Sequence, residues 1–393
     1  MKMQARREGG FSLIELMISV VIGMLALLFA LRLVIGSEQT RDTALGGSDA
    51  MQNGMVALFS ISGDAGQAGF GLNDPIISGC NTVFSDTSGY ALAPATRGGA
   101  VIHPLAPVVI ESNGSAPDRV SFHAGSSLGG TGTLRLTAGY SSGTRIEVDR
   151  VPYGFSRRDV IVAAPEQPGG DCALAQLSSD PSDLLPPPGP QYVVIGQGSN
   201  YRFNSGNLGA AFPGSAARLF NLGPADSLAF HTWSVADGFL QLRATDMAGA
   251  SAVPATVADN IVSLKAQYGF DTRGGAAFLP QDGMQVGRWS STMLDADGDG
   301  VTGDAGDYQR VAAVRLAVVA RSKAPENAAR GAACSATSAK PVVFAAAAPQ
   351  GVAAVPLTVD VAVAGDSVDW RCYRYRVFET VVTLRNAAWR PQA

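Results

Sequence analysis

Charge is scarce in this chain: Asp, Glu, Lys and Arg make up 16% of 393 residues. The formal net charge is only -4, and no long basic block breaks the sequence. A mildly acidic chain without a basic run is a poor binder of nucleic acid, whose phosphates demand clustered cations. Cysteine is limited to Cys80, Cys172, Cys334 and Cys372, none of them in a CxxC pair. That excludes a zinc ribbon and a thioredoxin-like motif. Histidine occurs three times, at His103, His123 and His231, without metal-ligand spacing. No phosphate-binding glycine loop is present. Gly365-Asp366-Ser367 has no histidine after it, so it does not support a serine hydrolase.

Glycine, by contrast, is abundant at 46 residues. With so little charge, this points to many turns and short strands. The length allows two domains, or an anchor and one large β-rich domain.

One stretch dominates the pattern. A short leader carrying Lys2, Arg6 and Arg7 ends at Gly9-Gly10, and an apolar run follows from Phe11 to Ile35. It is long enough to cross a bilayer as a helix. Leu16 to Leu31 carries no charge. Glu15 is therefore the residue that needs a reason, because a carboxylate in hydrocarbon is disfavoured. Arg32 near the far end can snorkel to the interface. A secretory signal fits poorly, since the run is too long and the best cleavage site, near Gly36-Ser37, is weak. A plain membrane anchor leaves both Glu15 and the glycine pair unexplained.

Further along, Met51, Met55, Leu58 and Phe59 recur at helical spacing and are expected to line one face of a continuing helix over 36–62. Gly46, Gly47 and Gly54 each weaken a helix by roughly 1 kcal/mol. A bend or break is expected near Gly46-Gly47. The stretch Asp64 to Leu72 closes the helix with glycines, and from there to about residue 225 the reading is strand and turn, with alternating runs at 119–123, 133–137 and 145–149. Runs at 159–163 and 192–195 read as more deeply buried strands. Residues 228–243 form a hairpin pattern around Asp237-Gly238. The run 257–272 reads as a turn leading into a long strand.

The one site-like cluster lies at 294–307. Asp295, Asp297, Asp299 and Gly300 fit the first half of a calcium loop, and the Val301 carbonyl falls at the seventh position. The closing glutamate is missing, since position twelve is Gly306; Asp304 or Asp307 would have to substitute. The alternative is a solvated acidic loop between strands.

Gly10-Phe11 with Glu15 closely resembles the leader of a type IV prepilin. "VADNIVSLKAQYGFDT", the segment 309–322 and the ending 373–389 resemble the PilW family of minor pilins, as does Asp64 to Gly71. Residues 72–225 match nothing and read as a variable insertion. The resemblance implies a peptidase cut after Gly10, methylation of Phe11, and a pairing of Glu15 with a neighbouring subunit's amine during assembly. Loss of residues 1–10 removes Lys2, Arg6, Arg7 and Glu8, a net +2, so the mature chain carries -6.

The expected fold is α+β. A long N-terminal helix, membrane-spanning over 11–35, packs on a large antiparallel β-rich domain over 63–393. The expected location is the inner membrane with a periplasmic domain, then an extracellular pilus. In that oxidising compartment disulfides persist, and the pairing expected is Cys80–Cys172 with Cys334–Cys372. The implied function is non-enzymatic: initiating pilus assembly near the tip and supporting twitching motility and adhesion. The partners would be other minor pilins, the major pilin, a tip adhesin and the prepilin peptidase, with no nucleic acid. A type II secretion pseudopilin is the nearest alternative. A tethered periplasmic hydrolase or binding protein is more distant.

Overall fold

The computed structural model describes residues 12–126, 132–187, 189–196, 200–326 and 334–388; the side chains of 35–46 are not described. Its spine is one helix, α1, Leu13–Gln67, of 55 residues. At 1.5 Å per residue it is about 80 Å long. Ser12 stands at the N-cap with an extended backbone, and Glu15, three residues on, reaches back to it. The first half is rich in Leu, Ile and Met, which favour helix and lose little entropy there. The helix ends where Gly69 and Gly71 take positive φ, +82° and +71°, and the Gly69 amide turns to the His123 carbonyl.

Two expectations about this helix are corrected. It does not break at Gly46-Gly47 but runs through both glycines. The face it buries is also different. Ala50, Gly54, Ala57, Ile61 and Ala65 are inside, while Met51, Met55 and Phe59 are 49%, 55% and 80% exposed, and Leu58 is half-buried. Hydrophobicity alone favoured the larger residues. Around Gly54 the helix sits so close to the sheet that small side chains lie beneath it, while Ile61 fills the space about two turns on. A Cβ on Gly54 would lie 2.1 Å from the Phe378 ring, so this glycine marks a close approach.

The seat beneath α1 is a four-stranded antiparallel sheet in the order Arg288–Ser290, Ile261–Phe270, Val311–Arg321, Tyr375–Thr383. Leu264, Ala266, Tyr268, Val314, Leu316 and Val318 face the helix, joined by Phe378 and Val382. The opposite face carries Val262, Ala317 and Val319, and is covered by Val343, Phe344, Val359 and Val361. Both faces being covered explains why all ten residues of Ile261–Phe270 are buried rather than alternate ones. Inside this layer Lys265 and Asp118 form a fully buried ion pair. The ammonium also donates to the carbonyls of Gly114 and Ala116 at 2.9 and 3.0 Å, so no charge is left unpaired.

A five-stranded antiparallel sheet runs in the order Ala255–Asp259, Phe239–Ala244, Ala229–Ala236, Arg119–Ala124, Val108–Glu111. Its hairpin turns at Asp237 and Gly238, both with positive φ, as the Asp-Gly pair requires. Two of its strands come from before residue 125 and three from after 228. The 72–225 segment thus shares a sheet with the C-terminal part. Asn260, at φ 56°, turns the chain from this sheet into the seat.

The remaining large sheet has six strands, in the order Pro104–Leu105, Cys80–Val83, Asp171–Gln176, Asp159–Pro165, Ala217–Pro224, Leu134–Arg135. Its pairings are antiparallel except that of Cys80–Val83 with Asp171–Gln176. The Cys80–Cys172 disulfide links those two parallel strands, and both cysteines are fully buried. A second disulfide, Cys334–Cys372, ties the approach to the last strand. The architecture is a long helix packed on a large antiparallel β-rich domain.

Candidate assembly and cation sites

Among the described residues, none packs around the first half of α1. Leu13–Val34 is a 22-residue apolar span with none of it buried. Its length, about 33 Å, matches a hydrocarbon core of about 30 Å. One such helix among the described residues, followed by a large β-rich domain, fits an inner-membrane anchor bearing a periplasmic domain. Glu15 lies near the start of that span and is exposed. The Ser12 amide donates to its Oε2 at 3.4 Å. This is a long bond from a helix end whose other orphan amides also attract negative charge. Gly10 and Phe11 lie outside the described residues.

The acidic loop forms two triads that share Asp297. In Asp295, Asp297 and Asp299, and again in Asp297, Asp304 and Asp307, one carboxylate oxygen from each residue lies within 4.8 Å of the others. Asx turns shape the loop. Asp295 accepts from the amides of Gly298 and Gly300 at 2.8 and 3.0 Å. Asp297 accepts from the Asp299 amide at 3.1 Å, and Asp299 from the Val301 amide at 2.7 Å. Val301 itself lies on the exposed rim of the loop.

Asp304 caps the short helix α2, Ala305–Gln309, through the Asp307 amide at 3.0 Å. Asp307 is fully buried and receives the amides of Ala296 and Gly303 at 2.5 and 2.7 Å. The structure also explains the missing glutamate. A Cβ on Gly306 would lie 1.8 Å from Asp297 Oδ2, so a side chain at position twelve would displace a carboxylate of the cluster.

The cost of this crowding falls on Asp304. Burial, together with the charges of Asp297, Asp299 and Asp307, pushes its pKa up to about 6. A carboxylate with a raised folded pKa weakens the fold as pH rises from about 4 through 6, because the folded state then holds the extra proton. A divalent cation would remove that penalty at neutral pH. Both triads can therefore hold a divalent cation by their chemistry.

A third cluster had no signal in the sequence. His231 Nδ1 lies 2.8 Å from Asp64 Oδ2, and its Nε2 lies 2.8 Å from Asp246 Oδ1. The Trp233 indole also donates to Asp64 Oδ2, at 2.7 Å. Carboxylates only accept, so bonding to both needs two N–H groups, the imidazolium form. Burial opposes that charge, but the bonds to Asp246 and Asp64 outweigh it, and the pKa rises to about 9. The cluster fastens the end of α1 to the five-stranded sheet. His123, on the neighbouring strand, has the opposite fate: buried against Phe230, its pKa falls to about 4. Only tertiary structure brings residue 64 to residues 231 and 246.

Comparison with known proteins gives two matches. Residues 232–386 match the PilW family, described as Type IV Pilus-assembly protein W. Residues 5–31 match the prokaryotic N-terminal methylation motif. No curated protein and no solved structure matches the chain. The first match spans the hairpin, the seat of α1 and the last strand; the second spans the leader and most of the membrane-length helix. The chain carries a PilW-family region and a prepilin-type methylation motif.

Proposed function

We propose that a chain joining a prepilin-type leader to a PilW-type C-terminal region acts as a minor pilin that helps initiate type IV pilus assembly. The observation that carries this reading is the coincidence of the two matches on one 55-residue helix and the sheet that seats it. In this reading residues 1–10 are removed between Gly10 and Phe11, and Phe11 is methylated. Residues 11–35 serve first as anchor and then as filament core, and 36–62 continue the helix into the periplasmic domain, 63–393. Glu15 then meets the amine of an adjoining subunit, which supplies the partner that a carboxylate in hydrocarbon needs. The partners are other minor pilins, the major pilin, a tip adhesin and the prepilin peptidase. A head with 72–225 inserted is bulky for a repeating subunit, which favours a place near the tip, with motility and adhesion as consequences.

Mass spectrometry of membrane and sheared-pilus fractions tests the processing. The expected result is a mature chain beginning at methylated Phe11; an intact Met1 or a start near Ser37 would overturn it. Deletion of the gene should reduce pilus number and twitching. Normal piliation with blocked exoprotein release would instead make the chain a secretion pseudopilin.

The cation reading is Ca²⁺, held by Asp295, Asp297, Asp299, Asp304 and Asp307 with the Val301 carbonyl. Calcium takes six to eight oxygens, and five carboxylates on one loop supply most of them. Titrating the protein with Ca²⁺ at pH 7.5 should raise its Tm by mass action. The shift should shrink below pH 6, as protons compete at Asp304, and vanish in Asp297→Ala with Asp299→Ala. No shift in the parent protein would refute it.

A further inference from the structure

We propose that the strand Tyr375–Thr383 is a docking edge, where an extended segment of a second protein, acidic at one end, adds to the seat sheet as a fifth strand beneath the flank of α1. The strand is last in its sheet, nine residues long, and paired on one side only. The bonds that flank its ladder fix which groups point outward. Ser322 donates to the Arg374 carbonyl and Leu384 to the Ala312 carbonyl. In the uninterrupted register between them, residues 376, 378, 380 and 382 bond inward. The amides and carbonyls of Val377, Glu379, Val381 and Thr383 therefore point away from the sheet, and no partner for them occurs among the described residues.

Sheet edges are ordinarily protected by proline, by a bulge, by brevity or by charged side chains. This strand has no proline and no bulge, its Glu379 is tied to Arg315 and the Phe344 amide, and apart from Arg376 at its start YRVFETVVT is rich in β-formers. Val377 and Val381 are each 39% exposed on one face.

On the other face the helix supplies a roof. At 100° per residue, Asn53 and Asp64 lie on one flank of the buried stripe and bond to Asp259 and His231 of the five-stranded sheet. Met51 and Met55 lie on the opposite flank, past the contact of Gly54 with Phe378, and so overhang the free edge. Both methionines are exposed, and methionine packs adaptably against varied partners. An added strand would therefore bond to the free backbone, bury apolar side chains against Met51 and Met55, and cover Val377 and Val381.

Charge sets its polarity. Arg374, just before the strand, and Arg376, its second residue, line a groove of about 290 Å³ with Gly47, Ala50 and Thr337. Arg374 is paired with Glu326, whereas Arg376 has no acidic partner among the described residues. An acidic end lying in this groove matches them.

The test uses the full chain in detergent micelles. In the free protein, hydrogen exchange resolved to single residues should show fast amides at 377, 379, 381 and 383 and slow ones at 378, 380 and 382. The probe is a fluorescein-labelled decapeptide of alternating valine and threonine carrying three aspartates at one end, made in both orientations. One orientation should bind and slow the four fast amides. Val381→Pro removes an outward amide without removing a ladder bond, and should weaken binding at least tenfold. Arg376→Glu, or lysines in place of the aspartates, should weaken it about tenfold. Val377→Pro serves if Val381→Pro lowers the Tm. Binding unaffected by both proline variants overturns the proposal. Outward amides already slow in the free chain also overturn it: protection that grows with protein concentration would mean a second copy occupies the edge, and protection at every concentration that the chain's own tail does.

Discussion

The two halves of α1 obey different rules. From Leu13 to Val34 the helix is apolar all round and exposed all round, so its composition answers to a surrounding solvent. From Ala50 onward the same helix buries a stripe of Ala and Gly with Ile61 and leaves methionines and a phenylalanine outside. At Gly54 the composition answers to distance: the sheet is so near that large residues are excluded there. In the first half a hydrophobic residue marks the face that meets lipid. In the second half hydrophobicity alone does not tell which side meets the sheet.

Breaking the seated half should cost most. His231 holds Asp64 and Asp246 together, and its raised pKa means that this contribution is complete below about pH 6.5 and is lost as pH rises through about 9. The shift corresponds to roughly 3 kcal/mol at most. His231→Gln should therefore lower stability at pH 6 and flatten the pH dependence between 6.5 and 9, as measured by denaturant unfolding. Next in size is Gly54→Leu, which forces Phe378 from its position and should cost about 2 kcal/mol by overpacking. Adding Phe378→Ala should recover part of that loss, since the two groups compete for one space. Gly47 sharpens the contrast, because no atom lies within 4 Å of its ideal Cβ. Gly47→Ala should stabilise by about 1 kcal/mol through helix propensity alone. Smallest of all, Glu15→Ala in the free half should leave the unfolding of the head unchanged while removing assembled pili, which separates a filament role from a folding one.

Much of the fold was legible in the chain. The membrane-length run, the Asp237-Gly238 hairpin and the long strand at 261–270 each carry a local signal in periodicity or turn chemistry. The buried face of α1 was not, because hydrophobic periodicity weighs size, whereas closeness to Phe378 selects against it. Nor did the glycines at 46 and 47 end the helix, since helix on both sides carries it through their weak propensity. At the acidic loop, DxDxDG was readable, but the shared position of Asp297 and the exclusion of a side chain at 306 were not. The Asp64–His231–Asp246 bridge joins residues 167 positions apart, and no spacing rule reaches that far.

Asn386 donates to the carbonyls of Gln67 and Ala68 at 3.1 and 3.2 Å, closing the end of α1 across 319 and 318 positions. This contact orders events in the life of the chain. The helix is made long before Tyr375–Thr383, the strand that completes its seat. Until that strand has been made and delivered, the stripe around Gly54 lacks the Phe378 side of its seat. Contacts this distant in sequence are slow to form. The helix must therefore be held at the membrane by its first half while the rest of the protein is delivered to it. The anchor acts first as a folding tether.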